Sequence, residues 1–222
     1  MTKEKIVSIG ALVLVLGGAA ALGFWGYKNK PLVAPSVATV NGTAIGQSAF
    51  DTQLASVIAS LKTQGVDTEN ADNLAQIKTQ VLNDLINNEL VLQGVTKAGI
   101  TVADTDVETQ FQRLLTEAGG ADQLKAQLAG AGQTEAQFRA NIAKQLAIQA
   151  YLLQNIDIST ATVTDEEAKT FYDTNVKTQA NAPAYKDVVD QIKQQIIADK
   201  QQILVNAFIA SLRERATVET TI

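Results

Sequence analysis

Any chemistry in this 222-residue chain would have to run on carboxylates, lysines and hydroxyls, because the sequence holds neither histidine nor cysteine. That removes thiol nucleophiles, disulfides, Cys/His zinc sites and a histidine general base together. The densest acidic group is Asp165-Glu166-Glu167. Paired carboxylates can serve as general acid and base, but these follow Thr164 at the start of a helical pattern. There Thr164 reads as an N-cap, Glu167 as its answering N3 residue, and Asp165 and Glu166 as complements to the positive end of the helix dipole. Asp104 and Asp106 lack the spacing of a calcium loop and fit a solvated first turn. Serines and lysines for a Ser–Lys pair are present, yet nothing in their spacing brings two together. No P-loop or other nucleotide motif occurs, so no cofactor is expected.

Charge and hydropathy speak more clearly than any motif. Residues 1–30 carry Lys3, Lys5, Lys28 and Lys30 against Glu4, so the formal net charge of −5 leaves about −8 on residues 31–222. Such acidity repels phosphate backbones and argues against a nucleic-acid partner. Apolar residues make up 46% of the chain, enough for a core, with Ala, Thr, Gln, Leu and Val the most frequent types. Ile6 to Tyr27 is an uncharged run of 22 residues. As a helix it would span roughly 33 Å, the thickness of a hydrocarbon layer. Phe24, Trp25 and Tyr27 sit where an interfacial aromatic belt belongs, ahead of Lys28, Lys30, Pro31 and Pro35. The expectation is a short segment 1–5 inside, a membrane anchor over 6–27, a linker over 28–36 and the main domain, 37–222, outside the cytoplasm. A cleaved leader with a small-x-small site at Ala19 and Ala21 is the competing reading.

The remaining pattern is mainly α, framed by short strands. Val37 to Ile45 reads as a hairpin about an Asn41-Gly42 turn. A lone hairpin is marginal in water, and Thr217 to Ile222 is the one later strand-like stretch, so the two are expected to pair. Helical periodicity begins with a capping-box-like Ser48 and Asp51, continues through Phe50, Leu54, Val57, Ile58 and Leu61, and stops at Gly65. A second helix runs over about 71–98, with an apolar stripe wide enough to need more than one neighbour. A third covers about 104–117. Gly119-Gly120 breaks the pattern before a short fourth helix with Leu124 and Leu128. Thr134 and Gln137 cap a fifth, and Thr164 and Glu167 a sixth. Val176 to Pro183 is a polar link. A last helix over about 185–215, roughly 45 Å long, is too long for one small bundle to bury and is expected to act as a spine.

These pieces resemble the SurA/PrsA-type peptidyl-prolyl isomerase chaperones. The resemblance lies in Val37-Ala38-Thr39-Val40-Asn41-Gly42 with Ile45 and Ser48-Ala49-Phe50-Asp51, in Leu85-Ile86-Asn87-Asn88-Glu89-Leu90 with Ala98-Gly99-Ile100-Thr101-Val102, in Val163 to Glu167 with Phe171-Tyr172, and in Ile192 through Val218. It implies a mainly α, multi-helix SurA N-terminal-like chaperone domain with a small sheet of hairpin and C-terminal strand and a long closing helix, to which the hydropathy of residues 6–27 adds an N-terminal transmembrane helix. In that family a parvulin domain of roughly 90 residues separates the Phe-Tyr helix from the closing helix. Here Val176 to Ala184 stands in its place, too short for a domain, and the histidines of parvulin sites are missing.

The resemblance therefore implies a chaperone module without the enzyme: a membrane-anchored, ATP-independent holdase for unfolded or nascent exported polypeptides. In the family picture a cradle of helices shelters such segments. Phe111, Leu114 and Leu115, with Phe138 and Ile142, are the candidates to line it, and ordinary core packing is the alternative for each. A membrane-tethered scaffold that holds one specific partner is the second functional reading.

Overall fold

The structure is a computed structural model and describes residues 35–179 and 181–221. The expected segment 1–5, the anchor 6–27 and most of the linker lie outside the described residues. In chain order the elements are β1 (Ser36–Val40), β2 (Thr43–Gly46), α1 (Gln47–Thr63), α2 (Ala71–Lys97), α3 (Asp104–Glu117), α4 (Ala121–Gly130), α5 (Glu135–Asn155), a 3₁₀ turn (Ile158–Thr160), α6 (Asp165–Phe171), a π-helical segment (Tyr172–Val176), α7 (Tyr185–Glu214) and β3 (Val218–Thr220). The fold is mainly α with one small sheet. No helix among the described residues is long and apolar enough to cross a membrane.

The sheet has the order β2-β1-β3, antiparallel throughout. Val40 faces Thr43 on one side and Val218 on the other, and Ala38 faces Ile45 and Thr220. The hairpin thus obtains the partner strand it needs from the far end of the chain. Asn41 and Gly42 turn with φ of 51° and 84°, the geometry of a two-residue primed turn. Asn41 also ties three segments together. Its backbone N–H donates to Thr217 O at 2.8 Å, its Oδ1 accepts from Thr217 N–H at 2.9 Å, and its Nδ2 donates to Gln93 Oε1 at 2.8 Å. Gln93 Nε2 in turn donates to Val40 O at 3.0 Å, fastening the turn to α2.

Two compact units divide the chain. One comprises residues 152–211, and the other the described residues up to 151 together with 212–221. In the second unit Val37, Ala38, Val40 and Ile45 of the sheet pack with Phe50 of α1 and with Ile77, Val81, Leu82, Ile86 and Leu90 of α2. Leu212, Ala216 and Val218 close this core from the C-terminal side. The wide stripe of α2 is used on a further side as well. A Cβ built on Gly94 would stand 2.4 Å from the Tyr151 ring of α5, so the two helices approach over a residue with no side chain.

The start of α1 differs from the expected cap. Ser48 does not cap α1, because β2 runs directly into the helix and leaves Ser48 inside its first turn. The Gln47 N–H donates to Pro35 O at 2.8 Å instead, and Ser48 O accepts from Thr52 Oγ1 at 2.8 Å. Helix α2 is capped by Asn70, whose side chain accepts from the backbone of Asp72 and Asn73. The predicted boxes at Thr134/Gln137 and Thr164/Glu167 are both present. Unit 152–211 has its own core of Ala168, Tyr172 and Ile192, with Phe171, Val176, Tyr185, Val188, Val189 and Ile196 packed around it. Along α7 only Ile192, Gln201 and Val205 are buried.

Gly94→Ala is expected to destabilise the protein by about 1–3 kcal/mol through overpacking against Tyr151. Gly130→Ala, where a Cβ meets nothing within 4 Å, should be neutral or raise stability by up to ~1 kcal/mol. Thermal unfolding of the two variants beside the parent measures both signs; equal losses would contradict the close approach at Gly94.

Candidate polypeptide-binding site

The five candidate residues come together in one place. Phe111, at 5% exposure, and Ile142, at 2%, form a small cluster with Leu124 and Leu128, and Leu114, Leu115 and Phe138 are half-buried against it. Helix α3 contributes Phe111, Leu114 and Leu115 along one face, α5 contributes Phe138, Ile142 and Leu146, and α4 adds Leu124 and Leu128 to the same cluster. The cluster is separate from the sheet-bound core. Phe111 and Ile142 are covered within it, while Leu114, Leu115 and Phe138 keep part of their surface exposed. The i, i+3, i+4 spacing of Phe111, Leu114 and Leu115 was enough to place them on a common face.

The sequence reading missed the charged cap on this cluster. The Arg139 guanidinium lies 3.7 Å from the centre of the Phe111 ring, and Phe111 meets Phe138 edge to face at 6.1 Å between centroids. Arg139 donates to Glu135 Oε1 at 2.8 Å within α5 and to Glu108 across on α3. Hydrogen bonds from Gln112 and Arg139 hold the Glu108 carboxyl below its usual range, and the bonds to Glu108 and Glu135 raise Arg139 further. The Glu135–Arg139 pair is readable from its i, i+4 spacing. Its reach to Glu108, 31 positions earlier, has no local signal.

Unit 152–211 holds the acidic triplet. Two of its members act as clamps: Asp165 accepts from Lys193 Nζ, and Glu167 accepts from the Thr164 backbone at 2.8 Å and from Lys200 Nζ at 2.6 Å. Lys200 Nζ also donates to Thr162 O at 2.7 Å. Asp165 and Glu167 therefore join α6 to α7. Beside it runs a shallow groove of about 550 Å³, floored by Phe171 and Ile196 and rimmed by Glu166, Thr170 and Thr174. The π-helical segment places Thr174 there, and the Tyr172 hydroxyl donates to Pro183 O at 2.9 Å. Asp104 and Asp106 sit in the first turn of α3, and no group of three or more His, Cys, Asp or Glu suited to a metal occurs among the described residues.

Comparison with known proteins agrees with this architecture. The family model described as the SurA-like N-terminal domain matches residues 1–152, and the chain belongs to that family. Two curated relatives are named foldase protein PrsA. That of Clostridium perfringens is 26% identical over 184 residues, covering 78% of this chain and 52% of its own. That of Clostridium kluyveri is 31% identical over 172 residues, covering 70% and 50%. The chain thus spans about half the length of these curated relatives. A solved chain from a study of the SurA-like chaperones PEB4 and Cj1289 of Campylobacter jejuni superposes with a TM-score of 0.53 at 15% identity, covering 84% of this chain and 98% of its own. At that identity the match speaks for the fold.

Asp165 and Glu167 lie below the ordinary carboxylate range, chiefly through hydrogen bonds from Lys193 and Lys200. Depressed carboxylates contribute stability above their unfolded pKa, about 4, and lose it as pH falls through the folded value. Hydrogen-exchange protection of α6, corrected for intrinsic rates, should therefore fall between pH 5 and pH 3. Substituting Lys193→Met and Lys200→Met should remove most of that pH dependence; an unchanged profile in the double variant would show that the clamp is not its source.

Proposed function

We propose that this protein is a membrane-anchored, ATP-independent holdase for unfolded exported polypeptides, without prolyl-isomerase activity. One observation carries the reading: a chain of the SurA-like N-terminal family gathers five large apolar side chains into a cluster apart from its main core. A holdase needs apolar surface that can be offered and withdrawn, a soluble rim and no catalytic constellation. Apolar burial contributes about 25 cal/mol per Å² whatever the client's sequence, so such a surface is weakly selective and releases its client by mass action. The acidic balance of residues 31–222 supports the soluble rim. The proposed binding residues are Phe111, Leu114, Leu115, Phe138 and Ile142, in a single domain spanning 37–222.

The uncharged run from Ile6 to Tyr27 supports the anchor, with the domain on the extracytoplasmic side of a bacterial membrane. The short Val176–Ala184 link and the absence of histidine from the sequence support a binding role without isomerisation.

Purified residues 31–222, mixed at near-stoichiometric ratio with chemically unfolded test proteins on dilution, should suppress aggregation without ATP and across unrelated clients. No suppression at several-fold excess, together with saturable binding to one folded partner, would replace the holdase with a tethered scaffold.

A further inference from the structure

Helix α4 is attached to the rest of the protein through two side chains. Of its ten residues only Leu124 and Leu128 are buried, at 6% and 8% exposure, and the other eight are exposed. No side-chain hydrogen bond or ion pair among those described joins α4 to α3 or α5, whereas Arg139 bridges α3 and α5 directly. Its N-cap, Gly120, supplies no side-chain bond and sits at φ 109°, beside Gly119 at φ 89°; Gly132 follows its other end at φ 65°. Those dihedrals suit glycine and mark sharp breaks on both sides of the helix. The anchorage of α4 is therefore two leucines one turn apart, set against the entropy of ordering ten residues.

The leucines pack in the cluster that the candidate residues form. With α4 removed, the faces of α3 and α5 would form a two-helix groove lined by Phe111, Leu114, Leu115, Phe138 and Ile142, its walls still joined by Arg139 and Glu108 and by the Phe111–Phe138 contact. A helix held in a groove by apolar residues at i and i+4 is a common way to bind a peptide in trans.

We propose that α4 is a built-in occupant of the α3–α5 groove, displaced by client segments that present two aliphatic or aromatic side chains one helical turn apart, as Leu124 and Leu128 do. The proposal rests on the holdase reading for its client and adds the site and the class of segment recognised. Apparent client affinity is lowered by the fraction of molecules with α4 in place, so loosening α4 strengthens binding with no new contact.

The test uses the full chain in lipid nanodiscs and a fluorescent synthetic peptide copying residues 119–133. The chain carrying Leu124→Ser and Leu128→Ser should bind this peptide at least tenfold more tightly than the parent. A peptide with the same two substitutions should not bind. Unchanged peptide affinity in a double variant that keeps its helical circular dichroism would overturn the proposal. Should the variant fail to fold, hydrogen exchange on the unmodified chain decides: an unfolded client should speed exchange in α4 while slowing it in α3 and α5. Client-independent exchange of α4, in a chain that still suppresses aggregation, would overturn the plug and leave the holdase standing. Tight peptide binding by a double variant that suppresses no aggregation would uphold the plug and sink the holdase reading. Mixed dimers of variant and parent, in place of peptide binding, would assign the groove to α4 of a second copy and overturn the proposal.

Discussion

Strand β1 has two edges, and neither can be left bare without exposing a row of unpaired amides and carbonyls. One edge is taken by β2 through a two-residue turn, the other by β3 from the end of the chain. Because β3 must reach β1, the last turn of α7 is drawn back to the sheet, and Leu212, Ala216 and Val218 complete the core that Val37, Val40, Phe50 and Ile86 begin. Asn41 concentrates this constraint in one residue, since its bonds to Thr217 and Gln93 tie the turn, the terminal strand and α2 together. The arrangement of α1 and α2 around the sheet follows from that closure.

Away from the sheet the same chain builds a second, much smaller cluster from α3, α4 and α5. Four buried side chains hold it, and a charged network lies across its top. The contrast between the two clusters is one of cooperativity. Opening the sheet-bound core would break backbone ladders and many apolar contacts at once; releasing α4 exposes two leucines and the side chains of Phe111 and Ile142 they pack with, and breaks no side-chain hydrogen bond among those described. Regions that move in function are drawn from the low-stability end of a structure, and α4 has the physical marks of one.

The carboxylates follow the same division of labour. Asp165 and Glu167 read in the sequence as a dipole complement and a capping residue; in the structure they are also the ends of clamps, with lysines and the cap satisfying them. Exposed ion pairs of this kind contribute modestly to stability. Their value lies in orienting α6 against α7, beside the groove floored by Phe171 and Ile196.

The sequence by itself determined whatever depends on neighbours in the chain. Helix periodicity, the Asn41-Gly42 turn, the caps at Thr134 and Thr164 and the breaks at Gly119-Gly120 are local preferences, and each is found where its pattern put it. The pairing of the C-terminal strand was legible for a different reason: a marginal hairpin needs a partner, and one strand-like segment was on offer. Tertiary structure decided the rest. It moved the start of α1 ahead of Ser48, because β2 leads straight into the helix. It also spanned 31 positions to place Arg139 against Glu108, and set Gly94 beneath Tyr151. Above all it decided that Phe111 and Ile142 are covered, and by what. Helical spacing can put an apolar residue on a face, but only the packing of α4 shows which two leucines lie over it.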